Sequence, residues 1–202
     1  MTRIKLCGLS RPRDIEWANA LGPDYIGFVF APGSKRYVSP ERAGALREGL
    51  DRGIRAVGVF VNAAPEAVAA LLNDGIIDLA QLHGGEDGEY IKALRALTDK
   101  PLIQAFRIDG PADLHRARLS VADHILLDNG PGGTGAAFDW ALLKGFYRPC
   151  VLAGGLGPEN VARAIKAVRP FAVDVSSGIE TDGVKDILKM TAFVNAVRHE
   201  EA

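Results

Sequence analysis

Eight times along 202 residues, a short β-rich run gives way to a stretch with helical periodicity. The β-rich runs are residues 3–7, 25–30, 56–61, 78–82, 102–106, 124–128, 150–153 and 171–175. Most are almost continuously apolar, the pattern of strands buried on both faces. Between them lie helical stretches over 40–50, 65–73, 87–97, 112–119 and 158–168, with a first start at Ser10-Arg11-Pro12. Several open with proline or an acidic residue in the first turn, where a missing N–H costs nothing and negative charge meets the positive end of the helix. Strict alternation gives each strand its own crossover helix, hence an all-parallel sheet, and eight such units close into a single-domain (β/α)8 barrel spanning residues 1–202. The competing arrangement is a doubly wound open sheet. Against it, no Gly-x-Gly-x-x-Gly follows the first strand, and no linker or shift of composition marks a second domain.

The bulk numbers exclude several functions. With 24 basic and 25 acidic residues the formal net charge is -1, so no global positive field holds nucleic acid or an anionic membrane, and any anion must be bound locally. No apolar stretch reaches membrane-spanning length and no segment has the build of an export signal, so the expected compartment is the cytoplasm. Two cysteines, Cys7 and Cys150, do not form a disulfide framework. With four histidines and no Cys-x-x-Cys or His-x-x-x-His spacing, no metal site is expected.

In such a barrel the chemistry collects where strands end and βα loops begin. Strand one ends in Cys7, next to Gly8. A free cysteine is commonly a small buried hydrophobe, but a thiol at this position could also act as a base, since a few per cent is thiolate at neutral pH and nearby cations enlarge that fraction. The loop after strand two carries Ser34, Lys35 and Arg36; Arg36 is either a solvated charge or a two-pronged clamp for a carboxylate. Strand four supplies Gln81 and His83, and strand five Arg107. His83 reads as a structural histidine or as an acid–base or positioning donor, and Arg107 is equally two-sided. Asp128 ends the apolar run Ile125-Leu126-Leu127, where a carboxylate is costly without partners or a task. Apolar surroundings raise a carboxyl pKa, so Asp128 is expected to act as a general acid. Lys5 shares the inward phase of Cys7 one layer deeper, and is either a cation for the site or a buried partner of a strand acid such as Asp174. Cys150 is read as packing.

Glycines and hydroxyls dominate the last loops: Gly132, Gly133 and Gly135 after strand six, Gly154-Gly155 after strand seven, and Ser176-Ser177-Gly178 after strand eight. In the last two of these loops, backbone N–H groups freed by glycine, two hydroxyls and a helical turn from residue 179 make a phosphate cradle at the place where barrels commonly bind phosphate.

Several segments together resemble the phosphoribosylanthranilate isomerase family of tryptophan biosynthesis, over essentially the whole chain. They are Lys5-Leu6-Cys7-Gly8, Phe30-Ala31-Pro32-Gly33-Ser34-Lys35-Arg36-Tyr37-Val38, Gln81-Leu82-His83-Gly84, Leu127-Asp128 with Gly132-Gly133-Thr134-Gly135 and Phe138-Asp139-Trp140, Ala153-Gly154-Gly155-Leu156, and Asp174-Val175-Ser176-Ser177-Gly178-Ile179-Glu180. The resemblance implies an Amadori rearrangement of N-(5'-phosphoribosyl)anthranilate to 1-(2-carboxyphenylamino)-1-deoxyribulose 5-phosphate, with no metal or organic cofactor. It implies Asp128 as the general acid on the ring oxygen, Cys7 as the base at C2', and Arg36 on the anthranilate carboxylate. His83, Gly133, Gly154, Gly155, Ser176, Ser177 and Gly178 complete the expected substrate-binding set. The partner is a small phosphoribosyl molecule, and the chain works as monomer or homodimer. Two other readings compete: a related sugar isomerase of histidine biosynthesis, whose family uses a pair of aspartates where this chain has Cys7, and a non-catalytic phosphosugar-binding barrel, which would need neither Cys7 nor Asp128.

Overall fold

The eight β-rich runs are the eight strands of one closed parallel barrel. In the computed structural model, which describes residues 1–128 and 140–200, they are β1 (Arg3–Cys7), β2 (Tyr25–Val29), β3 (Arg55–Phe60), β4 (Leu79–Leu82), β5 (Leu102–Arg107), β6 (His124–Asp128), β7 (Cys150–Leu152) and β8 (Ala172–Val175). Neighbours in sequence are neighbours in space, and the barrel shuts where β1 pairs with β8, Lys5 opposite Asp174 and Leu6 opposite Val175.

Helices α1 (Pro12–Leu21), α2 (Pro40–Glu48), α3 (Pro65–Asn73), α4 (Gly88–Arg95), α5 (Pro111–Leu119), α6 (Val161–Val168) and α7 (Ile187–His199) surround it. Four of them start at proline, and side chains cap three: Ser39 Oγ accepts from Arg42 N ahead of Pro40, Asp87 from Tyr90 N, and Asp186 from Leu188 N. Two details differ from the alternation read in the sequence. Among the described residues the β6–β7 connection contributes a 3-10 turn, Trp140–Leu143, in place of a crossover helix. Helix α6 begins three residues late, because Asn160 spends its side chain on the turn before it, accepting from Gly157 N and donating to Gly155 O.

Strand period two sorts the side chains into two cores. Outward residues such as Ile4, Leu6, Ala80, Leu82, Ile125 and Leu127 pack against the helices. Inward ones, among them Tyr25, Val57, Leu79, Ile103, Leu126 and Val151, fill the barrel. The N-terminal end is closed by aromatic and guanidinium groups: Arg3 lies over the Phe171 ring and donates to Tyr25 Oη, and His124 stacks on Phe171. The inward phase continues upward from Leu79 to Gln81 and His83, from Leu126 to Asp128, and from Lys5 to Cys7. The same alternation that fills the barrel therefore delivers polar groups to its C-terminal mouth.

Candidate active site

A cavity of about 300 Å³ opens at that mouth, and Cys7, Arg36, Gln81, His83 and Asp128 line it together with Gly154, Gly155, Ser176 and Ser177. Its size suits a small-molecule ligand. Cys7 is only 6% exposed and faces Gly27 across the β1–β2 ladder. A Cβ on residue 27 would lie 2.6 Å from Cys7 Sγ, so the thiol occupies space that only glycine leaves open. One layer below, Lys5 Nζ donates to Asp174 Oδ1 at 3.0 Å in a buried pair, one of the two readings the strand pattern left open, and its charge also acts on Cys7. Burial pushes the Cys7 thiol up, the ammonium of Lys5 pulls it back, Asp174 pushes it up again, and the result lies above the ordinary thiol value.

The loop after β8 builds the wall above Cys7. Ser176 Oγ donates to the Cys7 carbonyl oxygen, tying the ends of β8 and β1 together. The segment expected to begin a helical turn at residue 179 is organised differently: a 3-10 turn covers Ser177–Ile179, and an antiparallel hairpin, β9 (Glu180–Thr181) and β10 (Val184–Lys185), follows at once. Asp182 and Gly183 both have positive φ, the conformation of a tight two-residue hairpin connection, and this diverts the chain from a helix. The hairpin delivers two buried charges. Lys185 Nζ donates to Glu180 Oε1 at 2.5 Å and to Ser176 O at 2.9 Å. Arg36 reaches the same carboxylate with Nε and Nη2, each at 2.6 Å. Burial works against the Glu180 carboxylate, but Arg36 and Lys185 outweigh it and its pKa lies below the usual range. Arg36 is thus no solvated loop charge: it is fixed in a two-pronged grip that leaves Nη1 and the outer Nη2 proton for a ligand.

His83 stands across the mouth, with Nε2 3.3 Å from Asp128 Oδ2 and Nδ1 2.7 Å from Gln81 Nε2. The Asp128 side chain is 19% exposed, at the lip of the apolar layer rather than sunk in it. Gly154 and Gly155 have φ of 86° and 64°, backbone that other residues rarely adopt, and Gly178 packs so closely on the Leu156 carbonyl that the loops after β7 and β8 form one surface. Gly133 lies outside the described residues. Arg107 pairs with Asp109 on the exposed surface and does not line the cavity. Cys150 is buried packing, and burial takes its thiol up to about 11. Gly27, Glu180 and Lys185 received no role from the sequence. A glycine inside an apolar strand and an Asp-Gly pair between short polar runs were the available signals.

Residues 4–196 match the family described as N-(5'phosphoribosyl)anthranilate (PRA) isomerase. The chain belongs to that family. It is 45% identical over 202 residues to an N-(5'-phosphoribosyl)anthranilate isomerase of Endomicrobium trichonymphae, covering 98% of this chain and 99% of the relative. The crystal structure of phosphoribosyl anthranilate isomerase from Thermus thermophilus superposes with a TM-score of 0.88 at 39% identity, over 98% of this chain and 99% of that one. A second family structure, solved in complex with reduced 1-(o-carboxyphenylamino)-1-deoxyribulose 5-phosphate, gives a TM-score of 0.85 at 37% identity, over 98% and 100% of the two chains. The fold of the family is thus the barrel described above.

Proposed function

We propose that this chain is an aldose–ketose isomerase of tryptophan biosynthesis that converts N-(5'-phosphoribosyl)anthranilate to 1-(2-carboxyphenylamino)-1-deoxyribulose 5-phosphate, acting as one catalytic domain in the cytoplasm without a cofactor. One observation carries the reading: a single cavity is lined by a thiol at the end of β1, a carboxyl at the end of β6, a clamped guanidinium and two glycine- and serine-bearing loops. Asp128 gives its proton to the ring oxygen as the C1'–O bond breaks, and the anilino nitrogen lone pair forms the C1'=N bond of a Schiff base. Cys7 then takes the C2' proton. The C–H electrons become the C1'=C2' bond and the iminium electrons return to nitrogen, giving an enolamine whose tautomerisation yields the ketone. The Schiff-base cation helps here, because it acidifies C2' and attracts the thiolate that burial disfavours. Arg36 holds the anthranilate carboxylate, Gly154, Gly155, Ser176, Ser177 and Gly178 hold the phosphate, Gly133 belongs to the substrate-binding set, and His83 supports Asp128. Holding both ends of the substrate fixes C2' and the ring oxygen between base and acid, an effect worth on the order of 7 kcal/mol in favourable cases.

Adding the purified protein to phosphoribosylanthranilate is expected to abolish the fluorescence of the substrate, and unchanged fluorescence would reject the activity. Cys7→Ala and Asp128→Ala are each expected to depress turnover by about a hundredfold or more with the fold intact. Near-normal turnover in either variant removes that residue from the mechanism.

A further inference from the structure

Gln81 is a buried polar residue of the cavity whose chemistry is half unused. Its side chain points inward from β4, it is 1% exposed, and its Oε1 has no hydrogen-bond partner among the described residues. An unmade bond to a buried amide oxygen costs about 1–3 kcal/mol, so a Leu or Met at this inward position would serve the barrel better. What the amide does have is His83: Nε2 lies 2.7 Å from the ring nitrogen Nδ1. We propose that Gln81 is a positioning residue that holds His83 in the tautomer with its proton on Nε2, the ring nitrogen on the Asp128 side.

An amide N–H donating to Nδ1 requires a lone pair there, so the proton of the neutral ring sits on Nε2, which faces Asp128 Oδ2 at 3.3 Å. The opposite tautomer would set a bare Nε2 lone pair against the carboxylate oxygen. With the ring proton on Nε2, Oδ2 is the carboxyl oxygen facing that nitrogen at 3.3 Å, and Oδ1 is the oxygen left for the acidic proton and the substrate. This inference rests on the reading of Asp128 as the acid.

Long-range ¹H–¹⁵N correlation spectra of the wild-type protein, with His83 assigned by its loss in His83→Asn, are expected to show the neutral Nε2–H tautomer near pH 7. Finding the Nδ1–H tautomer overturns the proposal without any variant. Gln81→Met is expected to keep or raise Tm, because it removes an unsatisfied buried oxygen. It should lower kcat about tenfold while KM changes little, and the single tautomer should be lost. Gln81→Glu sets a carboxylate against Nδ1, and is expected to give the doubly protonated ring and a larger fall in kcat. Wild-type kcat in Gln81→Met, or a retained tautomer, also overturns the proposal. A wild-type protein that leaves phosphoribosylanthranilate unchanged rejects the isomerase reading instead, and the tautomer measurement still stands on its own.

Discussion

A thiol and a missing side chain share one position in this barrel. Cys7 and Gly27 face each other across the β1–β2 ladder, and the 2.6 Å separation between Sγ and a Cβ at residue 27 leaves no room for both. Gly27→Ala is therefore expected to push the sulfur off its line to C2'. A displacement of about 1 Å costs about a hundredfold in rate, so kcat should fall by about that amount while circular dichroism shows the barrel retained and Tm drops by only a few degrees. Unaltered kcat would show that the sulfur has another place to go. The same thiol carries a pH signature. Burial, opposed by Lys5 and aided by Asp174, leaves Cys7 above its ordinary 9.0, so the thiolate fraction is still growing as pH passes that value. In a Cys150→Ala background, the alkylation rate of Cys7 by iodoacetamide is expected to keep rising through pH 9.0. A rate already level at neutral pH contradicts this. Period-two alternation made Cys7 and Asp128 legible in the sequence as inward groups at strand ends. It could not reveal that Gly27 vacates space for the sulfur, because that depends on the register between two strands.

At the scale of elements, the connections decide what the strands alone do not. The Asp182-Gly183 pair was a readable hairpin signal, yet its consequence is a matter of tertiary placement: the hairpin carries Lys185 and Glu180 back over β8 and fixes Arg36. Arg36 was legible as a rim cation; the partner 144 residues away was not. A second junction binds the end of α5 to the segment before β7. Arg148 donates to the carbonyl oxygens of Ser120 and Ala122 at 2.7 Å and to that of Arg118 at 3.3 Å, and Arg118 Nη2 returns a bond to Gly145 O. The guanidinium fork satisfies carbonyls at the negative end of a helix, a task that a single ammonium cannot copy. Arg148→Ala is expected to cost about 1–3 kcal/mol, with Arg148→Lys recovering only part of it. In thermal unfolding this reads as a fall in Tm of about 2–4 °C per kcal/mol. An Arg148→Lys protein as stable as wild type would show that charge alone suffices.

Over the whole molecule, the barrel is closed by the β1–β8 seam, and the Lys5–Asp174 pair sits on it at register positions opposite each other. Burial lowers the Lys5 pKa, but Asp174 and Cys7 carry it above the ordinary 10.5. The sign follows: the contribution of the ammonium to stability is complete below pH 10.5 and is lost as pH rises through the higher folded value. Lys5→Met leaves Asp174 buried without its cation, and is expected to destabilise the protein by about 3–5 kcal/mol in denaturant unfolding. Adding Asp174→Leu should restore most of that loss, since an apolar pair avoids desolvation altogether; a double variant no more stable than Lys5→Met would contradict this coupling.

The sequence by itself determined the eightfold alternation, the closed parallel barrel, the two cores and the end of the barrel at which polar groups emerge. Those follow from periodicity, which is local: each residue's face is set by its neighbours two or four positions away. Only the tertiary structure decided which groups meet there. The vacated space at Gly27, the Gln81–His83–Asp128 chain and the Arg36–Glu180–Lys185 network depend on how far one strand or hairpin is shifted against another. The packing of the closed barrel sets those shifts, and no local pattern in the chain records them.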